Sequence, residues 1–151
     1  MKSIFNMSMK RRSFLCGMLL TIPTISLYDQ VQASPFHMPS NIDNLTELEK
    51  IHVPKVSIPP VVEDGNQAPI VIQIDHPMEE EHYIKSILIL NFNDPIVIKG
   101  QCFFTPMSGE AYFGTQIRLA GGDSRVWVVS ECNQHGRYAI YKDVKVAAGG
   151  C

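Results

Sequence analysis

The sequence predicts an all-β fold, an immunoglobulin-like antiparallel β-sandwich of about seven strands that ends in a flexible C-terminal arm. Three observations lead to this prediction. From residue 53 onward, short runs rich in Ile, Val, Tyr and Phe alternate between apolar and polar positions. Turn-forming groups such as Asp64-Gly65-Asn66 separate these runs. No helix of three turns interrupts them, which disfavours a parallel α/β sheet.

The predicted strands follow one another at spacings of about 10 to 15 residues. They cover residues 53–58, 68–74, 84–90, 96–105, 111–119, 125–131 and 137–146. In the second strand Ile70, Ile72 and Ile74 fall on one face, as a half-buried strand requires. The folded domain is therefore predicted to span residues 53–146.

The first 33 residues are predicted to be a twin-arginine-type signal peptide. Lys10-Arg11-Arg12-Ser13-Phe14-Leu15 provides the basic region and the paired arginines, and Val31-Gln32-Ala33 provides a small residue at the cleavage site. The apolar stretch between them has about 14 residues, fewer than the 18 or more of a membrane-spanning helix. We therefore expect a periplasmic protein without a stable membrane anchor. Residues 34–52 are expected to form a polar segment with one helical turn around residues 44–50.

Composition and motifs give no sign of an enzyme or of a nucleic-acid-binding protein. The chain has 45% hydrophobic residues, 19% charged residues and a net charge of -2, which is a normal globular balance without a basic face. It contains no glycine-rich phosphate loop, no Cys-x-x-Cys and no His-x-x-x-His. The histidines are interpreted as scattered surface residues, and neither a metal nor a cofactor is predicted; they are His37, His52, His76, His82 and His135.

Cleavage after Ala33 leaves three cysteines, and an odd number leaves at least one thiol unpaired within the chain. Cys102 and Cys132 fall within or at the end of predicted strands. They are expected either to form a structural disulfide between the sheets or to be two buried free cysteines.

Cys151 follows Gly149 and Gly150 in an arm, residues 147–151, that lacks bulky side chains. Such an arm can carry a thiol about 16 Å from the folded domain. The alternatives are that Cys151 is incidental in a frayed tail, or that it pairs with Cys102 or Cys132.

Residues 56–151 resemble the SoxY family, the sulfur carriers of the periplasmic thiosulfate-oxidising Sox system. The stretches that carry the resemblance are 58–65 (IPPVVEDG), 93–95 (NDP), 103–106 (FFTP), 116–119 (QIRL), 144–146 (VKV) and 149–151 (GGC). The resemblance implies that Cys151 binds a reduced sulfur compound covalently through an S–S bond. It also implies a heterodimer with a SoxZ-like subunit, which presents the cargo to SoxXA, SoxB and, where present, SoxCD. On this hypothesis the chain is a carrier and performs no catalysis of its own.

The sequence departs from the family in one respect. The family's terminal Gly-Gly-Cys-Gly-Gly has two glycines after the cysteine, whereas Cys151 is the last residue here. If the chain truly ends at Cys151, the carboxylate beside the sulfur is expected to disfavour the thiolate and to repel anionic substrates. The alternatives are a terminal Gly-Gly that is missing from this sequence, or a paralogue with an altered role. Two rival hypotheses remain: a non-catalytic immunoglobulin-like binding subunit with an incidental thiol, and a thiol-dependent enzyme. The enzyme is disfavoured because an arm of Ala and Gly offers no base to activate the thiol.

Overall fold

A computed structural model describes residues 36–147, and they form an all-β sandwich of two sheets. The strands are β1 (Lys55–Ser57), β2 (Val61–Val62), β3 (Ala68–Ile74), β4 (Ile84–Asn91), β5 (Ile98–Phe103), β6 (Ala111–Ile117), β7 (Gly122–Cys132) and β8 (Gly136–Val146). One helix, α1 (Glu47–His52), precedes them, and two 3-10 turns lie at Gly65–Gln67 and Pro106–Ser108. Within residues 36–147 no helix is long and apolar enough to span a membrane. The predicted signal peptide, and residues 148–151 of the predicted arm, lie outside the described residues.

The prediction of an all-β sandwich is confirmed. One sheet has three strands in the order β1-β3-β6, and the other has five in the order β2-β8-β7-β4-β5. All neighbouring strands are antiparallel except β2, which runs parallel to the end of β8. There are eight strands among the described residues because Val61–Val62 pairs with Lys145 and Val146. Two residues are too few to show an alternating pattern, so the sequence could not reveal this strand.

The core lies between the two sheets and follows the alternation of the sequence. In β3 every second residue is buried, and Ile70 and Ile72 are no more than 1% exposed. They face apolar side chains of β4 and β7 such as Ile87 and Val128. Each such side chain contributes about 1.5–3 kcal/mol to stability when it is fully buried.

The segment before the domain is more ordered than the predicted polar tail. Thr46 caps α1 through a capping box with Glu49, and the backbone N–H of Thr46 and the His37 side chain help to lower the pKa of Glu49 to about 2. Leu45 packs against a small apolar group formed by Val53, Tyr138 and Ile140. The segment therefore belongs to the folded domain, and it fixes the position of α1 against β8.

Gly65 stands where the chain packs too closely for any side chain. A Cβ at this position would lie 2.5 Å from the Leu119 carbonyl oxygen and 2.8 Å from Val146 Cγ1. We expect Gly65→Ala to lower the free energy of unfolding by about 1–3 kcal/mol, because backbone as well as side-chain atoms must move. Gly100→Ala is the matched control, since its Cβ would meet nothing closer than 3.6 Å. Urea denaturation of both variants provides the measurement, and equal midpoints would contradict the prediction.

Candidate functional site

Four histidines and one cysteine meet at one end of the five-stranded sheet and form a group that we call the donor cluster. Its members are His52, His76, His82, Cys132 and His135. The Nε2 atom of His82 lies 3.3 Å from Nε2 of His52, 3.0 Å from Nε2 of His76 and 3.0 Å from Nδ1 of His135. Cys132 Sγ lies 3.8 Å from His76 Nε2 and 3.7 Å from His135 Nδ1.

The interpretation of the histidines as scattered is therefore wrong for four of the five, and of these four only His135 is a surface residue. Residues far apart in sequence converge because β3 and β7 end, β4 begins and α1 ends at the same end of the sandwich. Only His37 remains apart, with its Nε2 atom 2.8 Å from a carboxylate oxygen of Glu49.

The backbone and ring of His52 are held from three sides. His52 is the last residue of α1, and its Nδ1 lies 2.7 Å from the carbonyl oxygen of Leu48, one turn earlier. Ser130 Oγ donates a hydrogen bond of 2.7 Å to the His52 carbonyl oxygen. The ring stacks on Tyr138 with centroids 4.8 Å apart and planes at 15°. These contacts leave Nε2 as the ring atom that faces the cluster.

His76 and His82 lie in the loop between β3 and β4, which is tied to the turn between β7 and β8. The side chain of Asn133 donates to the Glu81 carbonyl oxygen at 2.7 Å and accepts from the Tyr83 N–H at 3.0 Å. Reciprocal backbone hydrogen bonds of 2.9 and 3.1 Å join Glu79 and His82. The loop thus holds its two histidines against the residues of the turn.

Met78 marks backbone strain in this loop. It is the one non-glycine residue with positive φ among residues 36–147, at 53°, and its side chain is buried. Its N–H approaches His76 Nδ1 at 3.2 Å. A residue held in this conformation costs about 1–3 kcal/mol and persists where the surroundings fix it, which is a common property of functional sites.

Cys132 and His135 occupy the end of β7 and the turn that leads into β8. Gly136 closes this turn with φ of 78°, a conformation that glycine adopts readily. The N–H of Gln134 points at Cys132 Sγ from 3.5 Å. Cys132 is 3% exposed and His135 is exposed, so one side of the cluster is buried and the other faces solvent.

Burial favours the neutral form of the two buried histidines of the cluster, His52 and His76, and lowers the pKa of both. Burial, followed by the positive charges that His82, His52 and His135 can carry, lowers the pKa of His76 to about 4. Burial also lowers the pKa of His52, against the opposing effect of the Leu48 carbonyl oxygen. Neutral imidazole is the form that binds metals.

These five donors fit a transition-metal ion in chemical type. Imidazole and thiolate together suit ions of the iron, nickel, copper and zinc class, whereas magnesium and calcium prefer oxygen ligands. The donor atoms of His52, His82, Cys132 and His135 all lie within 4.8 Å of one another, and His76 adjoins two of these four.

The sequence did contain a signal for this site. His76 and His82 are separated by five residues, and Cys132 and His135 by two, so metal-type donors occur in two close pairs. The motifs that the sequence analysis considered, Cys-x-x-Cys and His-x-x-x-His, match neither pair. The mixed pair Cys132-x-x-His135 places a thiolate and an imidazole, both metal-ligand types, in one turn.

Cys102 and Cys132 are both free in the structure, which favours the second of the two alternatives, although only Cys132 is buried and Cys102 is partly buried. Cys102 on β5 pairs with Ile87 of β4, and Cys132 on β7 pairs with Ile84 of β4. The two cysteines therefore belong to one sheet, with β4 between them, and not to opposite sheets. Two strand spacings amount to about 9.6 Å, beyond the roughly 7 Å limit for Cα atoms of a disulfide.

The base of the predicted arm lies at the opposite end of β8. Ala147 donates a backbone hydrogen bond of 2.8 Å to the Val62 carbonyl oxygen, and Lys145 donates one of 2.9 Å to that of Pro60. A groove of about 430 Å³ beside Ala147 is lined by Arg118 and Lys99, among other residues. Gly149, Gly150 and Cys151 lie outside the described residues, so their predicted roles stay predictions.

The donor cluster and the base of the arm are too far apart to meet within one chain. Strand β8 begins directly after His135 and runs eleven residues to Val146. At about 3.3 Å per residue it separates the two ends by roughly 33 Å. The four residues after Ala147 span at most about 14 Å. The Cys151 thiol therefore cannot reach the cluster of its own chain.

Comparison with protein families identifies the chain. The sequence model of one family, described as "Sulfur oxidation protein SoxY", matches residues 43–151. The chain belongs to the SoxY family. The resemblance seen in the sequence is thereby confirmed, and membership makes this a sulfur oxidation protein of the Sox system. No curated protein matches the SoxY-family chain in sequence.

Solved structures with a similar fold are superoxide reductases. Three structures of superoxide reductase (neelaredoxin) from Ignicoccus hospitalis match with TM-scores of 0.57 to 0.59. They are 22% identical and cover 74% of this chain and 94% of theirs. A variant superoxide reductase from Archaeoglobus fulgidus matches at 15% identity and a TM-score of 0.50, covering 68% of this chain and 95% of its own. Identities this low establish a shared fold alone.

Proposed function

We propose that this protein is a covalent carrier of reduced sulfur, with the cargo attached to the thiol of Cys151. The observation that carries the proposal is the SoxY family match, which extends to the last residue and so includes Gly149-Gly150-Cys151. A terminal cysteine preceded by two glycines suits a carrier, because the thiol must enter the active sites of other proteins.

The described end of β8 supports this role in two ways. The hydrogen bonds from Lys145 and Ala147 to the β2 segment fix the point from which the arm leaves the domain. Arg118 lines the adjacent groove, is exposed, and forms no ion pair with any residue in 36–147. Its positive charge favours an anionic sulfur group near the arm.

Loading of thiosulfate onto the carrier is an oxidation. The Cys151 thiol and thiosulfate form an S–S bond to give a cysteine S-thiosulfonate, and they release one proton and two electrons. The electrons need an external acceptor, and haem proteins of the SoxXA type would supply it in this family. The carrier itself holds the sulfur and does not turn over.

The partner we propose is a SoxZ-like subunit, in a heterodimer located in the periplasm. Edge strand β5 supports the existence of a partner, since Ile98 and Phe103 on it are 59% and 73% exposed. Met107, in the 3-10 turn after this strand, is 97% exposed. Apolar side chains grouped on a sheet edge are typical of interaction sites.

The carrier role is tested by the mass of the intact protein. After incubation with thiosulfate and an oxidising SoxXA-type partner, the wild type should gain the mass of a sulfur adduct, and Cys151→Ser should gain none. Cys102→Ser is the matched control and should be loaded like the wild type. Adducts on Cys151→Ser, or none on the wild type, would favour the rival hypothesis of a binding subunit with an incidental thiol.

A second candidate function is the reduction of superoxide, the activity named for the similar structures. The donor cluster favours it, because it gathers metal-type ligands at one solvent-facing end of the same fold. A redox-active ion there would supply the single electron that, with two protons, converts superoxide to hydrogen peroxide. The exposed side at His135 would admit so small an anion.

This candidate is tested with iron-loaded protein in a superoxide-consumption assay. The wild type should consume superoxide at least about 10-fold faster than Cys132→Ser loaded with the same amount of iron, because thiolate ligation tunes the metal. His37→Ala should match the wild type. Iron-loaded wild-type protein without activity would eliminate superoxide reduction while leaving both the carrier role and metal binding intact.

A further inference from the structure

We propose that the donor cluster binds one first-row transition-metal ion, through four imidazole nitrogens and the Cys132 thiolate. This site goes beyond the sulfur-carrier function and does not depend on Cys151. Reduction of superoxide would require this site, whereas metal binding at the site does not require that activity.

The contacts around His82 cannot all be hydrogen bonds. Its Nε2 atom has three ring nitrogens within 3.3 Å, yet a neutral ring nitrogen carries either one proton or one in-plane lone pair. At most one of the three contacts is therefore a good hydrogen bond. Since Nδ1 of His52 faces the Leu48 carbonyl oxygen, its Nε2 presents a lone pair to His82. Lone pairs of ring nitrogens that face one another at these distances repel unless a proton or a cation lies between them.

The distances also fit ligation of one ion. Two metal–nitrogen bonds of about 2.1 Å at a right angle place the nitrogens about 3.0 Å apart. That is the separation of His82 from both His76 and His135. Tetrahedral bonds of the same length would place them about 3.4 Å apart. The two separations of 3.0 Å fit ligands at right angles, whereas the separation of 3.3 Å between His82 and His52 is closer to the tetrahedral value. Five donors nonetheless exceed the four of a structural zinc site.

Neighbouring groups orient the ligands. The Leu48 carbonyl oxygen fixes the ring of His52, and the Gln134 N–H supports negative charge on Cys132 Sγ. His76 must adjust, because its Nδ1 faces the N–H of Met78 and the neutral ring then carries its proton on Nε2. Metal binding requires that proton to leave Nε2. The contact with Met78 is 3.2 Å, at the long end of the range for a hydrogen bond, so little is lost when it breaks.

Five protein donors leave one position of a six-coordinate ion open. Cys132, His52 and His76 lie on the buried side of the cluster, while His82 is half-buried and His135 exposed. An open position on the solvent-facing side could take water or a small anion. Iron(II) and cobalt(II) accept such a donor set, and cobalt(II) adds an absorption band when a thiolate binds.

The test uses the full-length protein, stripped with a chelator and then loaded with cobalt(II) or iron(II) without oxygen. After removal of unbound metal, elemental analysis should give about one ion per chain, and the cobalt form should show a thiolate-to-metal charge-transfer band. Cys132→Ser should lose this band. His135→Ala, a change at an exposed turn that leaves the core intact, should weaken binding by at least about 100-fold.

His37→Ala and Cys102→Ser are matched controls, one histidine and one cysteine outside the cluster, and both should bind like the wild type. Cys151→Ser should also bind fully, which separates this site from the carrier thiol. Circular dichroism of each variant checks that it is folded. The proposal is overturned if the folded wild type retains no metal, or if His135→Ala and Cys132→Ser retain it as strongly as His37→Ala does.

Discussion

Adding cobalt(II) or iron(II) to the metal-free protein should raise its Tm by roughly 15–30 °C. An ion that binds only the folded state stabilises it by about 4 kcal/mol when present at roughly 1,000 times its Kd. In a domain of about 100 residues, each kcal/mol shifts the Tm by roughly 4–8 °C. The increase is expected because the metal relieves the crowded ring nitrogens of the donor cluster.

Differential scanning calorimetry with and without metal measures this shift. His82→Ala should abolish it, since His82 contacts three of the other ligands, and it should change the Tm of the metal-free protein far less. His37→Ala, the control, should retain the full shift. A wild-type Tm that does not respond to metal, in a protein shown to be folded, would contradict metal binding at the cluster.

Asp94→Ala should lower the free energy of unfolding by about 3–5 kcal/mol, because it leaves the buried positive charge of Lys99 without a partner. The side chains of Asp94 and Lys99 are 3% and 8% exposed and form an ion pair of 2.6 Å. Both oxygens of Asp94 also accept the N–H of Ala120, at 3.1 and 3.2 Å. Asp94 thus joins the loop before β5 to Lys99 in β5 and to Ala120 in the loop before β7, beside the groove at the base of the predicted arm.

Urea denaturation of Asp94→Ala, Lys99→Met and the double variant separates the charge effect from packing. The double variant should be more stable than Asp94→Ala alone, since no unpaired charge remains. Lys55 and Asp75 provide the control pair, because this ion pair is exposed and Asp75→Ala there should cost no more than about 1 kcal/mol. Equal losses for Asp94→Ala and Asp75→Ala would show that burial does not determine the strength of these pairs.

The sequence was sufficient for seven of the eight described strands and for the family. Alternation in β3 follows from a sheet with one buried face, so the pattern of Ile70, Ile72 and Ile74 could be seen without coordinates. The terminal Gly149-Gly150-Cys151 and the stretches before it carry the resemblance to SoxY, which the family match confirms. These features depend on local periodicity or on contiguous motifs, and both can be recognised in the amino-acid sequence alone.

The donor cluster was determined by the tertiary structure. His52 and His135 are 83 positions apart, yet their ring centroids lie 4.7 Å apart. No local sequence pattern predicts that α1 and the turn after β7 meet at one end of the sandwich. The same holds for Cys102 and Cys132, whose placement in one sheet depends on β4 lying between their strands. Sequence by itself determined the fold class and the SoxY family, because these rest on periodicity and contiguous motifs. Which histidines share a site was decided by strand order, because proximity across a sheet depends on pairing between segments distant in the chain.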